Sequence, residues 1–533
     1  MSDNQVSRRD FMKYVGVGAA ALVGTATGVT QVAEAAGKIS EAHTPSDFLD
    51  KFGGKPPFHP IQPSDKDALL LPPGFKHDIV VAWGDEIGNG EKFGYNCDLT
   101  LYFPINGSSD HGLLWVNHEY VGSGALWMYN ESTPDAKKFE IEQYNVGGSI
   151  IEVKRVHGKW MLDKNSKYAR RITANTMMDL TGPAKGDAAV GGVTEVKGTH
   201  ANCSGGKTLW HTALSCEENF ESDAARWGRN LTHYGWVIEV DPFDPQSKPK
   251  KHTSLGRFAH ENAAMTLSKD GRLVVYMGDD ANDQFFYKFV SEGKYDPTAG
   301  KANSKLLEKG VLYVAELGEG KWLPLDLELS PKLKEKYSTQ GQVLVHTRDA
   351  AKLLGATPLD RPEDVEVHPK DKTVYLALTN NTRHGNFHGQ IVRFKEDGND
   401  AASLTFSFEV FAVGGPQSGF SCPDNLLFDR SGNLWVFTDI SSSKLNQNNT
   451  YETFKNNGAF FISTQGRNIG EAYQFISGPR ESEMTGPDFT PNEKTMFIAV
   501  QHPGEESTDP VNPTSRWPHG DIPRPAVVAI QGF

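Results

Sequence analysis

Only four cysteines (Cys97, Cys203, Cys216, Cys422) occur among 533 residues, too few for a disulfide scaffold in a chain this long. Beyond the first forty residues no apolar run is long enough to span a bilayer, which excludes a membrane-embedded body. Basic residues are in the minority, 54 against 67 acidic, for a formal net charge of −13. Nucleic-acid binding needs a positive footprint and is excluded as the main task. The basic run Lys248-Pro249-Lys250-Lys251 is isolated in this acidic chain and reads as a solvated loop. Low-complexity segments are missing, helical periodicity is scarce, and no Gly-x-Ser-x-Gly motif offers a serine nucleophile. What is present is 29 Phe, 16 Tyr and 10 Trp with 53 Gly and 30 Pro. That is core material for a large, loop-rich globular protein, not a disordered one.

The N-terminus carries an address. Ser7-Arg8-Arg9-Asp10-Phe11-Met12-Lys13 precedes a mildly apolar, Gly/Ala-rich stretch, and Ala33-Glu34-Ala35 follows. This is the pattern of a twin-arginine signal peptide over residues 1–35. It predicts recognition by the twin-arginine translocation machinery and a periplasmic or secreted bacterial protein, exported folded. The remaining 36–533 reads as one domain.

Six segments follow one recipe: a turn, five or six β-prone residues, and a stop on acids, amides or histidine. They are Gly112–Glu119, Lys207–Glu218, Gly271–Asp280, Lys372–Asn381, Gly432–Asp439 and Lys494–His502. Taking Leu113, Leu209, Leu273, Val374, Leu434 and Met496 as equivalent, the spacings are 96, 64, 101, 60 and 62. The recurrence predicts an all-β, six-bladed β-propeller with loop and short-helix insertions. Short helices are expected near Asp223–Trp227, Pro331–Tyr337 and Arg348–Leu354.

Upstream of four of these strands a partner strand begins on a carboxylate: His260-Glu261-Asn262, Arg361-Pro362-Glu363-Asp364, Cys422-Pro423-Asp424-Asn425 and Gly486-Pro487-Asp488. Asn202-Cys203 takes that place in the second unit, with Ser204-Gly205-Gly206 read as its turn. In an antiparallel hairpin the start of the first strand lies beside the end of the second. So Glu261 should fall beside Asp279, Glu363 beside Asn380, Asp424 beside Asp439 and Asp488 beside Gln501. Radially arranged hairpins bring these groups, with Glu119, Glu217, Glu218 and Asp280, to one mouth. Two like charges ~4 Å apart repel by about 4 kcal/mol at an effective dielectric near 20. Arg257, Arg361 and Arg383 are too few to neutralise so many acids, and cations are the solution the composition suggests. Carboxylates suit Ca²⁺, Mg²⁺ or Mn²⁺, while the Cys203 thiolate suits iron or zinc.

These segments resemble the PhoX-type alkaline phosphatases. The resemblance rests on Gly198–Asn219, Val116-Asn117-His118-Glu119, Leu255–Glu261, Arg361-Pro362-Glu363-Asp364 and Gln501-His502-Pro503-Gly504-Glu505, and runs from roughly Gly74 to Gly504. It implies a six-bladed propeller with an iron and calcium cluster that hydrolyses small-molecule phosphomonoesters outside the cytoplasm. Carried over, it makes Cys203 an iron ligand with a catalytic part. Glu119, Glu217, Glu261, Glu363, Asp364, Asp424 and Asp488 become metal ligands, and Arg383 the catalytic phosphate contact. One departure is visible: Thr208-Leu-Trp-His-Thr212 stands where the family has Thr-Pro-Trp-Gly-Thr, placing His211 as a candidate near the site. Two other readings stay open: a calcium-dependent propeller hydrolase of another class (phosphodiesterase or lactonase), and a non-catalytic interaction propeller. A monomer is expected, because propellers expose few strand edges.

Overall fold

A computed structural model describes residues 56–533; the twin-arginine signal expected over residues 1–35 lies outside them. The described chain is mostly β-sheet with few and short helices. Among the described residues six sheets have four or more strands. Each is led by a strand that enters from one common end: Cys97–Pro104, Asn202–Lys207, Ala264–Leu267, Pro362–Val367, Pro423–Phe428 and Glu483–Phe489. In every sheet this strand pairs antiparallel with the strand that follows it in the chain.

The turns explain the hairpins. Gly271 and Gly432 take φ of 88° and 87°, a left-handed conformation that a Cβ disfavours, at the tips of Ser268–Arg272 and Asp429–Asn433. The leading strands pack in sequence. Cys97–Pro104 lies against Asn202–Lys207, that strand against Ala264–Leu267, and so on through Glu483–Phe489, which packs on Cys97–Pro104. The last sheet is completed from the other end of the chain, since Ala526–Gln531 pairs with Thr495–Gln501 on one side and Lys76–Ala82 on the other.

Apolar faces of neighbouring sheets meet between them. Val274, Tyr276, Phe286 and Trp322 of one sheet face Leu376, Phe394 and Phe406 of the next. Tyr102, Leu114, Ile151 and Trp160 face Phe497, Val527 and Ala529 in the same way. Each large side chain buried there contributes about 1.5–3 kcal/mol, so the polar side of the leading strands is held by apolar layers behind it.

The expected short helices form at Glu221–Arg226, Pro331–Lys336 and Thr347–Leu354. Three more, Ala125–Met128, Asp135–Asn145 and Gln340–Val345, also form. Among the described residues no helix is long and apolar enough to cross a membrane. One turn expectation is corrected: Ser204-Gly205-Gly206 is part of strand Asn202–Lys207, and the reversal is made by Thr208–Thr212. His211 takes φ 63° in that reversal, where the family motif has glycine. It is exposed at the hairpin tip, at the far end of the hairpin from Glu217, so it is not a neighbour of the metal candidates.

Candidate metal centre

Five of the leading strands break register just inside their outermost pair. Cys97 pairs with His118, and the next regular pair is Thr100 with Val116. The same step recurs from Asn202–Glu217 to Gly205–Ser215, and from His260–Asp279 to Ala264–Tyr276. It recurs again from Pro362–Leu378 to Val365–Leu376, and from Pro423–Thr438 to Leu426–Val436. Each step inserts one extra residue on the leading strand, a β-bulge that bends the strand and re-aims a side chain. The residues placed directly after the outermost pair are Asp98, Cys203, Glu261, Glu363 and Asp424, and all five line one cavity of about 440 Å³.

The second strands add the residue that follows their last paired position: Glu119, Glu218, Asp280 and Asp439 line the same cavity. Glu483 and Gln501 complete it from the sixth hairpin, where they pair with each other. Glu505 and Glu506 stand at the rim, with Tyr120, Ser123 and Ser441–Ser443.

Two groups of donors are tight enough for an ion. One ligating atom each from Cys203, Glu218 and Glu261 lie within 4.8 Å of one another, and so do those of Glu261, Glu363 and Asp424. Glu261 belongs to both. The Cys203 Sγ faces the carbonyl of His260 at 3.3 Å, which fixes its direction into the cavity. One oxygen of the buried Asp424 carboxylate, Oδ1, has no hydrogen-bond partner.

Electrostatics agree with the crowding. Burial pushes Glu119 up to about 7 despite its hydrogen bond from Gln501, and burial pushes Asp424 up to about 7 as well. Glu261 and Glu363 are driven well above the carboxylate range by burial and then by neighbouring acids. Glu218, Glu483 and Asp98 follow the same pattern. The Cys203 thiol is likewise raised by burial, with Glu261 and Glu218 adding to it. These groups prefer protons in the absence of another cation, and a metal ion would take the place of those protons. The donor set therefore fits the cluster that the resemblance implies.

The cation in the cavity is Arg361. Its Nε and Nη2 donate to the two oxygens of Asp280 at 2.8 and 2.7 Å, and Nη2 also meets Glu363 at 2.7 Å. Burial alone would raise the Asp280 carboxyl, but the Arg361 guanidinium holds it below its usual value.

Four sequence candidates lie elsewhere. Arg383 is outside the cavity, with a 61% exposed side chain and an ion pair to Asp283 at 2.8 Å. Glu217 points to the opposite face of its strand from Glu218, as alternation requires. It accepts from the buried Lys251 Nζ at 2.6 Å and from the amides of Gly235 and Trp236. Asp364 accepts from the amides of Val365 and Leu426 at 2.7 and 2.8 Å. Asp488 pairs with Lys207 at the turn end of the second hairpin and accepts from the Tyr102 amide of the first. In the sixth hairpin the bulge lies between Thr485 and Asp488, so Asp488 takes the place of Val365 rather than of Glu363. Asp98, Asp439 and Glu483 were not among the sequence-derived ligands. The signal that finds the first two is their position one residue inside or beyond the outermost pair. All four cysteines are free, and Cys216 sits in an apolar cluster.

The sequence matches the family described as Alkaline phosphatase PhoX over residues 56–504. Among solved structures it is similar to Pseudomonas fluorescens PhoX in complex with vanadate, a transition state analogue. Identity is 33%, the TM-score is 0.80, and the match covers 89% of this chain and 98% of that one. A protein of unknown function from Dyadobacter fermentans is 11% identical with TM-score 0.41, over 86% of this chain and 100% of that one. A gluconolactonase from Xanthomonas campestris is 11% identical with TM-score 0.30, over 82% and 96%. Comparison with curated proteins found no match.

Proposed function

The chain belongs to the alkaline phosphatase PhoX family and is a metal-dependent phosphatase, and from that premise we propose that it hydrolyses phosphomonoesters in the acidic cavity with iron and calcium. Cys203, Glu218 and Glu261 would hold iron, because a thiolate suits the softer ion. Glu261, Glu363 and Asp424 would hold calcium, which takes hard carboxylate oxygens. Glu119, Asp98, Asp439 and Glu483 are the remaining ligand candidates. The observation that carries this reading is the shared carboxylate: Glu261 lies within 4.8 Å of two donor pairs of different softness.

Ions held by these residues would supply Lewis-acid chemistry there, offsetting the negative charge that develops on the phosphoryl oxygens. Arg361 orients the phosphate from the same wall, its planar guanidinium held in place by Asp280 and Glu363. This gives Arg361 the part that the resemblance assigned to Arg383. Gln501 fixes Glu119 by donating to it at 2.6 Å, and Tyr120 fixes the rim by donating to Glu505 at 2.8 Å.

The architecture we take with this function is a six-bladed propeller forming one domain over 36–533. The serial packing of leading strands, with the sixth against the first, supports it. Export by the twin-arginine route to the periplasm or beyond, and a monomeric state, belong to the same reading.

Protein purified after native export should contain iron and calcium by elemental analysis. EGTA should abolish hydrolysis of p-nitrophenyl phosphate, and Ca²⁺ should restore it; hydrolysis that survives chelation overturns the cluster. Cys203→Ala should lose bound iron and any colour while keeping calcium. Undiminished iron in that variant removes the thiolate from the site.

A further inference from the structure

Outside the acidic cavity a second group of donors meets between the third and fourth sheets. Strand Asn282–Gln284 pairs with Leu359–Asp360, and the loop bridged by Asn381 and Asn386 closes over this two-stranded clip. Ligating atoms of Asp283, Asp360 and His384 lie within 4.8 Å of one another. None of the three lines the acidic cavity.

The hydrogen bonds at this point do not close. The His384 ring nitrogens Nδ1 and Nε2 lie 2.9 Å from Asp360 Oδ1 and 3.2 Å from Asp283 Oδ1, and each contact needs a proton on its nitrogen. The Asn381 amide nitrogen stands 3.2 Å from that same Nδ1, a contact that needs a lone pair there. Both demands cannot be met. Asn381 is fully buried, and its amide oxygen has no partner at all. Its amide nitrogen also lies 3.2 Å from Asp283 Oδ1, so turning the amide end for end brings the orphaned oxygen to the carboxylates. Oxygen facing oxygen is unfavourable unless a cation sits between them.

The outer oxygens are already engaged, as the supports of metal ligands usually are. Asp283 Oδ2 accepts from Arg383 at 2.8 Å, and Asp360 Oδ2 accepts from Asn386 at 3.0 Å. That leaves each carboxylate one oxygen, Oδ1, aimed at the imidazole and the amide.

We propose that Asp283, Asp360, Asn381 and His384 form a binding site for a divalent transition-metal ion, separate from the phosphatase cluster. Two carboxylate oxygens, an imidazole nitrogen and an amide oxygen suit Zn²⁺ better than Ca²⁺, which takes oxygen donors in greater number. Two carboxylates balance the charge of one such ion. The ion ties the loop 381–386 to Asp360, the residue before Arg361. It therefore braces the backbone that carries the cavity's guanidinium.

The test uses the metal-loaded full-length enzyme and its Asp283→Asn and His384→Gln variants, with Zn²⁺ as the probe and circular dichroism confirming that each has folded. After equilibration with Zn²⁺ and removal of the free ion, wild type should retain about one more zinc per chain than either variant. At a hundredfold excess over Kd, Zn²⁺ should raise the wild-type melting midpoint by about 2–3 °C and leave the variants unmoved. Zinc taken up at the phosphatase cluster is common to all three and cancels in the comparison. Equal zinc content or equal shifts in all three proteins overturns the proposal. An unmoved wild type also overturns it, because a protonated His384 bridging the two aspartates would then suffice.

Discussion

Removing metal should reverse the usual effect of acid on this protein. In the metal-free chain Glu119 and Asp424 are each held at about 7, against ordinary values of 4.5 and 3.8, burial being the main cause in both. The folded state therefore keeps protons that the unfolded chain has already released. Stability from these two groups is fully present below about pH 4 and is lost as pH rises through 7. At 1.36 kcal/mol per unit the losses are about 3 and about 4 kcal/mol. Because the two share one cluster, their joint effect is of order 4–7 kcal/mol. A chain of this length unfolds with an entropy of about 1 kcal/mol/K, so the melting midpoint falls by about 4–7 °C between pH 4.5 and 8. Differential scanning calorimetry of EGTA-treated protein at those two values measures it, with calcium-loaded protein as the reference that should not fall. A metal-free protein that melts as high at pH 8 as at pH 4.5 would refute the crowding on which the metal centre rests.

Other outcomes follow from individual contacts. Glu217→Gln leaves the fully buried Lys251 without its carboxylate and should cost about 3–5 kcal/mol by denaturant unfolding, with metal content per folded molecule unchanged. Replacing Arg361 by Ala should lower kcat/KM for p-nitrophenyl phosphate by about 100-fold or more, at least thirtyfold beyond the loss in Arg383→Ala; equal losses would return the phosphate contact to Arg383. Glu261→Gln should remove iron and calcium together by elemental analysis, whereas Glu363→Gln should spare the iron. Burial alone would raise Glu239, but hydrogen bonds from His252, Ser304 and Thr212 hold it near 2. Its contribution of about 3 kcal/mol is present above pH 4.5 and lost as pH falls towards 2, so Glu239→Gln should flatten the acid limb of a stability-versus-pH curve over that window.

The hairpins were legible because turn chemistry and alternation are local. The acid at each strand start was legible too, since a charged residue opening an apolar run is conspicuous. What the one-dimensional pattern hides is the bulge. It moves Cys203, Glu261, Glu363 and Asp424 off the regular alternation and lets the following residue, such as Asp364, turn to backbone amides. The Pro487-Asp488 pair imitates Pro362-Glu363 and Pro423-Asp424, yet its hairpin extends farther towards the mouth, and Glu483 stands there instead. Asp98 was hidden for a different reason: it follows Cys97 inside an unremarkable apolar segment, with no turn or proline to mark it. Glu217 and Glu218 differ only in parity, which depends on where the strand ends. Arg383 had the right chemistry, but its loop faces Asp283, a contact set by a strand a hundred residues away.

The strand Ala526–Gln531 lies between Thr495–Gln501 and Lys76–Ala82, and this has a consequence for the order of manufacture. A nascent chain on the ribosome can pair five sheets as they emerge, but Lys76–Ala82 has no strand partner until Ala526–Gln531 has been made. The sheet that waits is the one that delivers Glu483 and Gln501. A product halted before Ala526–Gln531 would expose that unfinished edge to aggregation and to proteases, and the strands that carry Glu483 and Gln501 would lack the ladder behind them.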